Sequence, residues 1–359
     1  MAKHRSGAKV ARPDNTKPKP KSVRGKRSWT KCTDEELLDY RICDLGLKLE
    51  GTPVVSRIDK LYSELAARGI RFRPHCWLGD EWFSPDDVPG IAIPFYLAHP
   101  RLMSLERKLM FEVEGGNEKS CMRILRHETG HAIDTAYQLY RRRRYIEVFG
   151  DYTAPYPDYY RPRPHSKRFV QHLEPWYAQS HPAEDFAETF AVWLTPGDGW
   201  RKTYEGWHAK TKIEFVDRLM KKLPRIKKQS RAKIEPVNRL TKTLREHYQQ
   251  RYDRYRLDCP TGFDRDLKRL FNERRLKPNQ KTAAAFLQKN QMDLCSVVSH
   301  WTGEYRYNVN QVLREMVERC RILKLYVPQD ETGLLNNAAV MLAVHTMNYL
   351  HSGKHLIAL

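Results

Sequence analysis

The chain has 359 residues, 40% of them hydrophobic, and is long and apolar enough for one or two globular domains. Its net charge of +21 makes a nucleic acid or another polyanion a candidate partner. No stretch is long and apolar enough to span a bilayer, and the basic N-terminus lacks the apolar segment of a secretory signal. Seven scattered cysteines without a CxxC pair indicate free thiols and no zinc ribbon, so we expect a cytoplasmic protein without a membrane partner.

The first 31 residues form a basic tail. They carry eleven lysines and arginines against a single acid, Asp14, and very few aliphatic side chains. Such a segment cannot bury enough apolar surface to offset the entropy of ordering, which predicts disorder. The tail either binds nucleic acid or another polyanion, or it only keeps the protein soluble, and the sequence leaves both open.

Helices and short strands are predicted between the tail and residue 116. The predicted elements are a helix starting at Thr33–Glu36, a helix over Val55–Arg68, short strands within Arg71–Phe83, a strand over Gly90–His99, and a helix or strand over Leu102–Glu112. Pro94 cannot donate to a strand ladder, which favours an edge or a bulge. An exposed edge there could hold an extended peptide, while a buried core strand is an equally good alternative.

The motif His127-Glu128-Thr129-Gly130-His131 lies in a stretch, 120–140, whose apolar residues recur at helical spacing. His127 and His131 are four residues apart, so they share one helix face and can converge on one metal ion. Glu128 is rotated by about 100° and can flank this ion without binding it. It can then deprotonate a water that Zn²⁺ acidifies to a pKa of about 7. An ordinary polar helix face is the alternative, but the apolar stripe favours zinc. Four arginines, Arg141–Arg144, are predicted at the end of this helix.

The segment from Gly150 to Pro182 is predicted to be irregular. Six prolines and five tyrosines interleave there, a density of proline that no helix tolerates. Because long loops in compact domains are usually functional, we predict a lid or wall of the active site. Its histidines, His165, His172 and His181, are reserve candidates for a metal ligand.

A second site helix is predicted over Pro182–Leu194, since proline favours the first helical position and Thr195-Pro196-Gly197 follows the last. Glu184 and Glu188 lie four residues apart on one face of it, where two acids repel each other. A metal site would explain both carboxylates: Glu184 as the third zinc ligand and Glu188 as the acceptor of a histidine N–H. A solvated acidic face is the alternative.

The remainder of the chain is predicted to be helical. The expected segments are an amphipathic helix over Ile213–Leu223, a basic stretch over Lys221–Lys233, a helix over Leu240–Leu257, and helices near Thr282–Trp301, Asn308–Leu325 and Thr332–His351. This pattern gives three regions: a tail over 1–31, a catalytic domain over 32–235, and a helical C-terminal region over 236–359.

The two motifs together resemble a family of bacterial zinc-binding metallopeptidases. HETGH is followed by Ala183-Glu-Asp-Phe-Ala-Glu-Thr-Phe-Ala191, and the segments 90–102, 206–220 and 301–304 also look like that family, so the resemblance covers about residues 33–355. The stretch from Tyr177 to Glu188 is similar to the site helix of lethal-factor-type metallopeptidases. That resemblance implies Glu184 as a ligand and Tyr177 as a transition-state stabiliser, with Tyr159 and Tyr160 as the alternatives.

The sequence therefore predicts an α+β zinc metalloendopeptidase of the gluzincin type, with a small edge-bearing sheet and two site helices. His127, His131 and Glu184 bind Zn²⁺, Glu188 supports a histidine, Glu128 is the general base and Tyr177 stabilises the oxyanion. The substrate is a protein or peptide, and no oligomeric state is predicted. The alternative is a nucleic-acid-associated or protein-binding module that retains the zinc site without turnover.

Overall fold

The computed structural model describes residues 29–85, 88–157, 159–160, 163, 166–173, 176–223, 239–255, 262–351 and 357–358. The tail up to residue 28, most of the basic stretch 221–233, Cys259 and the predicted boundary at residue 236 lie outside these ranges. The six cysteines within them are free thiols, as predicted. No helix in the described ranges combines the length and apolarity needed to cross a membrane.

The described chain is mostly helical with little sheet, which confirms the α+β class. The helices are α1 (Asp34–Leu38), α2 (Pro53–Ala67), α3 (Pro100–Met110), α4 (Glu118–Tyr137), α5 (Arg143–Phe149), α6 (Pro182–Leu194), α7 (Trp200–Thr203), α8 (His208–Lys222), α9 (Leu244–Arg254), α10 (Asp264–Leu270), α11 (Ala283–Lys289), α12 (Gln291–Thr302), α13 (Arg306–Ile322) and α14 (Leu334–His351). The strands are β1 (His75–Gly79), β2 (Gly90–Pro94), β3 (Tyr159–Tyr160) and β4 (Ile357–Ala358). Single turns of 3-10 helix occur at Trp29–Lys31, Ile42–Leu45, Phe95–Ala98, Leu139–Arg141 and Tyr177–Gln179.

The turn Trp29–Lys31 lies within the segment that the composition predicts to be disordered. Thr33 and Glu36 form a reciprocal capping box at the start of α1, as their spacing predicts. The preceding turn, Trp29–Lys31, was assigned to the disordered tail, and this assignment is wrong. The indole N–H of Trp29 donates to the carbonyl of Leu45 at 3.0 Å, and its ring packs edge-on against His99. One large aromatic side chain is enough to dock an otherwise polar segment.

The sheet beside the site is small and buried. β1 and β2 pair in parallel from His75 opposite Gly90 to Gly79 opposite Pro94, and every residue of β2 is buried. On its other side Ala92 forms an antiparallel bridge with Phe83. The core alternative for this strand is therefore confirmed, and the exposed peptide-binding edge is wrong. Pro94 fits because it is the last residue of the strand, where the ladder ends anyway.

The two site helices match their predicted positions. α6 has the bounds that its proline and its Thr195-Pro196-Gly197 end predict. α4 ends at Tyr137, earlier than predicted, because Gln138 adopts the left-handed conformation with φ 48°. The arginine run 141–144 is consequently not at the end of α4, and Arg143 and Arg144 begin α5.

The described residues form two large hydrophobic cores and one small cluster of Trp77, Val88 and Ala92. The first runs from Leu37 to Tyr248 and surrounds the site helices. The second runs from Phe263 to Leu342 and is built by α10 to α14. α8 packs on α6, as its amphipathic pattern predicts. α9 belongs to the first core through Leu244 and Tyr248.

The C-terminal helices form as predicted, with one difference. The helix predicted over residues 282–301 is two helices, α11 and α12, separated by Asn290. The Asn290 side-chain amide donates to the carbonyl of Phe286, a local bond typical of residues that interrupt helices.

Candidate metal centre

The site is formed where α4 crosses α6. The two helices meet at Gly130 and Ala187, and the space there leaves no room for a side chain on Gly130. A crossing this close brings the backbone of one helix against the other. As a result the His127–His131 face of α4 lies directly over the Glu184–Glu188 face of α6.

Three side-chain atoms converge at this crossing. The Nε2 atoms of His127 and His131 lie 3.1 Å apart, and each lies 3.1 Å from Oε2 of Glu184. These three residues form a group that could hold a metal ion. His127 and Glu184 are buried, with 2% and 5% of their surface exposed. The three donor atoms thus form an equilateral set, and they come from the residues for which the two motifs predict metal binding.

The residues present fit zinc. In a tetrahedral site with bonds of about 2.0–2.1 Å, ligand atoms lie roughly 3.3 Å apart, close to the spacing observed here. Two imidazoles and one carboxylate are a ligand set that zinc enzymes use with a fourth position open. Zinc is therefore the cofactor of this site.

His127 is oriented by the second acid of α6. Its Nδ1 lies 2.8 Å from Oε1 of Glu188, whose other oxygen accepts the backbone N–H of Leu173 at 2.8 Å. Because a carboxylate can only accept, Nδ1 of His127 carries a proton, and a metal bound at this site would take the lone pair of its Nε2. The supporting position predicted for Glu188 agrees with this geometry.

The electrostatics of the ligand carboxylate agree with this arrangement. Burial alone would raise the pKa of Glu184, but the neighbouring imidazoles of His131 and His127 hold this pKa well below its usual range. Glu184 is therefore ionised, as a metal ligand must be.

The reserve histidines do not join the site. The Nε2 atoms of His172 and His181 bond to the backbone carbonyls of Arg123 and Ala154, at 2.9 and 2.8 Å. His165 lies outside the described residues.

Glu128 lies in the same cavity as the three candidate ligands but is not one of them. Its Oε2 is buried without a hydrogen-bond partner among the described residues. Burial raises the pKa of Glu128, against the opposing charges of His127 and His131. An unpartnered buried carboxylate oxygen is costly in a purely structural role and suits a group that exchanges a proton with a bound water.

Three tyrosines lie near the metal ligands. The ring of Tyr177 is tilted against His127, with 5.6 Å between centroids, and its hydroxyl has no hydrogen-bond partner among the described residues. Tyr160 packs edge-on against Tyr177 at 6.4 Å, and the side chain of Tyr159 is not described. The hydroxyl of Tyr156 donates to Oε1 of Glu184 at 3.0 Å.

A cavity of about 650 Å³ opens over these groups. Its floor contains His127, Glu128, His131 and Glu184, and Tyr156, Leu173 and Tyr177 from the irregular segment form part of its wall, where a wall was predicted. The junction of α12 and α13, two helices of the second core, forms another part of the wall with Ser299, Gly303, Glu304, Tyr305 and Arg306. A cleft of this size can take several residues of an extended chain.

Comparison with known proteins agrees with the geometry. Residues 115–249 match the model of a family described as "putative zinc-binding metallo-peptidase". This segment of the chain is similar to that family. The match contains the HETGH motif, Glu184 and Glu188, and it ends before residues 299–306 of the cleft wall. No curated protein and no solved structure matches the chain.

Two parts of this site are not evident from the sequence. Tyr156 was noted only as one of several tyrosines, because nothing local marks which of them reaches a ligand. The segment 299–306 was given no chemistry, because its position over the cleft depends on how the second core packs. The glutamate at 304 in a Trp-Thr-Gly-Glu stretch was the one signal available.

Proposed function

We propose that the protein is a zinc-dependent endopeptidase of the gluzincin type. The observation that carries the proposal is the triangle of His127 Nε2, His131 Nε2 and Glu184 Oε2, which lies beside an unpartnered Glu128 at the floor of an open cleft. A purely structural zinc site is closed by four protein ligands, whereas three ligands and a neighbouring base suit hydrolysis.

Zinc bound there supplies Lewis acidity, which lowers the pKa of a water and polarises a carbonyl group. Glu128 accepts a proton from the attacking water and delivers it to the nitrogen of the departing amine. Tyr177 donates its free hydroxyl to the oxygen that gains negative charge as the carbonyl is attacked. Glu188 holds His127 in the tautomer that keeps its Nε2 lone pair available.

The cleft supports a polypeptide as substrate. It is not enclosed, and residues of the site helices and of the α12–α13 junction line it, so an extended chain can lie across the ligands with its ends free. This geometry favours cleavage within a chain over removal of a terminal residue.

The test compares wild type with Glu128→Gln, a substitution that keeps the size of the side chain and removes its basicity. Each protein is incubated with a denatured proteome, and newly formed peptide termini are identified by mass spectrometry. We expect termini that depend on wild-type protein and disappear with Glu128→Gln, while both proteins hold equal zinc. Identical sets of termini from the two proteins would refute the proposed peptidase.

A further inference from the structure

Tyr156 contacts the outer oxygen of the ligand carboxylate. Glu184 presents Oε2 to the two imidazoles, and its Oε1 accepts the hydroxyl of Tyr156 at 3.0 Å. Among the described residues, no other group donates to Oε1. Glu184 is only 5% exposed, so without this bond its Oε1 would be left without a partner in a buried site, and the carboxylate would be free to rotate.

The backbone around Tyr156 is stiff. The sequence Ala154-Pro155-Tyr156-Pro157 places a proline on each side of it. Proline fixes its own φ and restricts the preceding residue to extended conformations, so Ala154 and Tyr156 have little freedom. The position of the Tyr156 hydroxyl is therefore set by the chain as well as by its partner.

His181 fastens this segment to the helix that carries the ligand. Its Nδ1 accepts the N–H of Ala183 at the start of α6, so its proton lies on Nε2 and donates to the carbonyl of Ala154 at 2.8 Å. The ring of Tyr156 stacks on the same imidazole, with 3.8 Å between centroids and 19° between planes. One histidine thus caps α6 and holds the segment from two sides.

We propose that Tyr156 is a positioning residue of the metal centre, which holds Glu184 so that a single oxygen faces the metal and thereby raises zinc affinity. The inference rests on the zinc site of the proposed function but not on turnover. Groups that orient a metal ligand typically contribute a factor of about 10–100 in metal affinity. Tyr156 acts through Glu184 and is distinct from Tyr177, whose hydroxyl has no described partner.

The test is zinc affinity, measured by competition with a chromophoric chelator in Tyr156→Phe. This variant keeps the ring that stacks on His181 and removes only the hydroxyl. We expect zinc to bind about 10–100 times more weakly, with an unchanged circular dichroism spectrum of the metal-free protein. Tyr140→Phe is the matched control, because its ring also stacks on a tyrosine of this segment, Tyr152, and its hydroxyl has no hydrogen-bond partner among the described residues.

A double-mutant cycle with Glu184→Ala separates positioning from a general effect on the fold. If Tyr156 acts through Glu184, then Tyr156→Phe produces no further loss of the residual zinc affinity in the Glu184→Ala background. Wild-type zinc affinity in Tyr156→Phe overturns the proposal, and so does an equal loss in both backgrounds. Either result leaves the peptidase proposal intact, because that proposal is tested by product termini and not by affinity.

Discussion

A Cβ atom added to Gly130 would lie 2.7 Å from the Cα of Ala187, closer than side chains approach a backbone. The glycine inside the HETGH motif is thus a packing requirement of the α4–α6 crossing. Alanine is normally the better helix former by about 1 kcal/mol, so the position runs against helix propensity for the sake of the crossing.

We therefore predict that Gly130→Ala lowers the free energy of unfolding by about 1–3 kcal/mol and weakens zinc binding, because α4 must move away from α6. Urea unfolding and chelator competition measure the two effects. Adding Ala187→Gly should not restore wild-type behaviour, since the nearest atoms are backbone atoms of residue 187. A Gly130→Ala protein with wild-type stability and zinc affinity would contradict this account.

The ligand assignment is tested by zinc content after dialysis. His127→Ala and Glu184→Ala should lose most of the zinc, because two of the three converging atoms cannot hold it tightly. Glu188→Ala should keep zinc with an affinity about 10–100 times lower, because it removes only the support of His127. Glu118→Gln, an exposed change at the start of α4, is the control. Full zinc in Glu184→Ala together with loss in Glu188→Ala would place the third ligand one turn later.

Tyr177→Phe removes only the hydroxyl of Tyr177, a residue that lines the cleft. Loss of one oxyanion donor typically costs about 10²–10³ in turnover, or roughly 3–4 kcal/mol. We expect turnover to fall at least tenfold on any substrate found, with zinc content and stability unchanged. Tyr160→Phe is measured in parallel, because Tyr160 is the alternative donor. If the Tyr160 variant loses turnover and the Tyr177 variant does not, the role belongs to Tyr160.

The free energy of unfolding at acid pH depends on His247. Its ring on α9 is buried without a hydrogen-bond partner among the described residues, and burial, with the charges of Arg251 and Lys242, lowers its pKa to about 3. The unfolded chain, with a pKa of about 6.5, binds a proton that the folded chain rejects. This residue therefore destabilises the fold as pH falls from 6.5 towards 3, by about 1.4 kcal/mol per pH unit.

His247→Leu replaces the imidazole with an apolar side chain of similar size, which cannot take up a proton. We expect the difference in unfolding free energy between pH 7 and pH 5 to be smaller in His247→Leu than in wild type. Urea unfolding at saturating zinc measures this difference. The neighbouring Tyr248 is left unchanged. Equal pH dependence in the two proteins would show that the imidazole is protonated in the fold.

Two deletions of different length distinguish the basic tail from the docked turn Trp29–Lys31. Deleting residues 1–28 should leave the melting temperature and zinc content unchanged and reduce binding to polyanions, because that binding scales with the phosphates neutralised. Deleting residues 1–31 should lower the melting temperature, because it also removes Trp29 and its bond to Leu45. A lower melting temperature in the shorter deletion would show that the basic tail is docked.

Much of the metal centre could be predicted because its rules are local. Helical periodicity puts His127 over His131 and Glu184 over Glu188 whatever the rest of the chain does. Proline at position 182 and the Thr195-Pro196-Gly197 sequence likewise fix the bounds of α6.

What could not be predicted depends on distant contacts. The reach of Tyr156 to Glu184 requires a loop held by His181, and no periodicity encodes it. The burial of β2 depends on Phe83, which closes the side that Pro94 had suggested was open. In both cases the outcome depends on a contact between two segments, which the pattern of either segment alone does not encode.

The wall that residues 299–306 add to the cleft has a consequence for what a zinc measurement reports. All three ligand atoms lie on α4 and α6, which contribute to the first core, and this wall lies at the junction of α12 and α13, which contribute to the second. Separate cores can open with separate free energies, so the second can loosen while the first keeps its metal. A sample fully loaded with zinc can then lack one side of its substrate site, and metal occupancy and competence for peptides become independent properties of the same molecule.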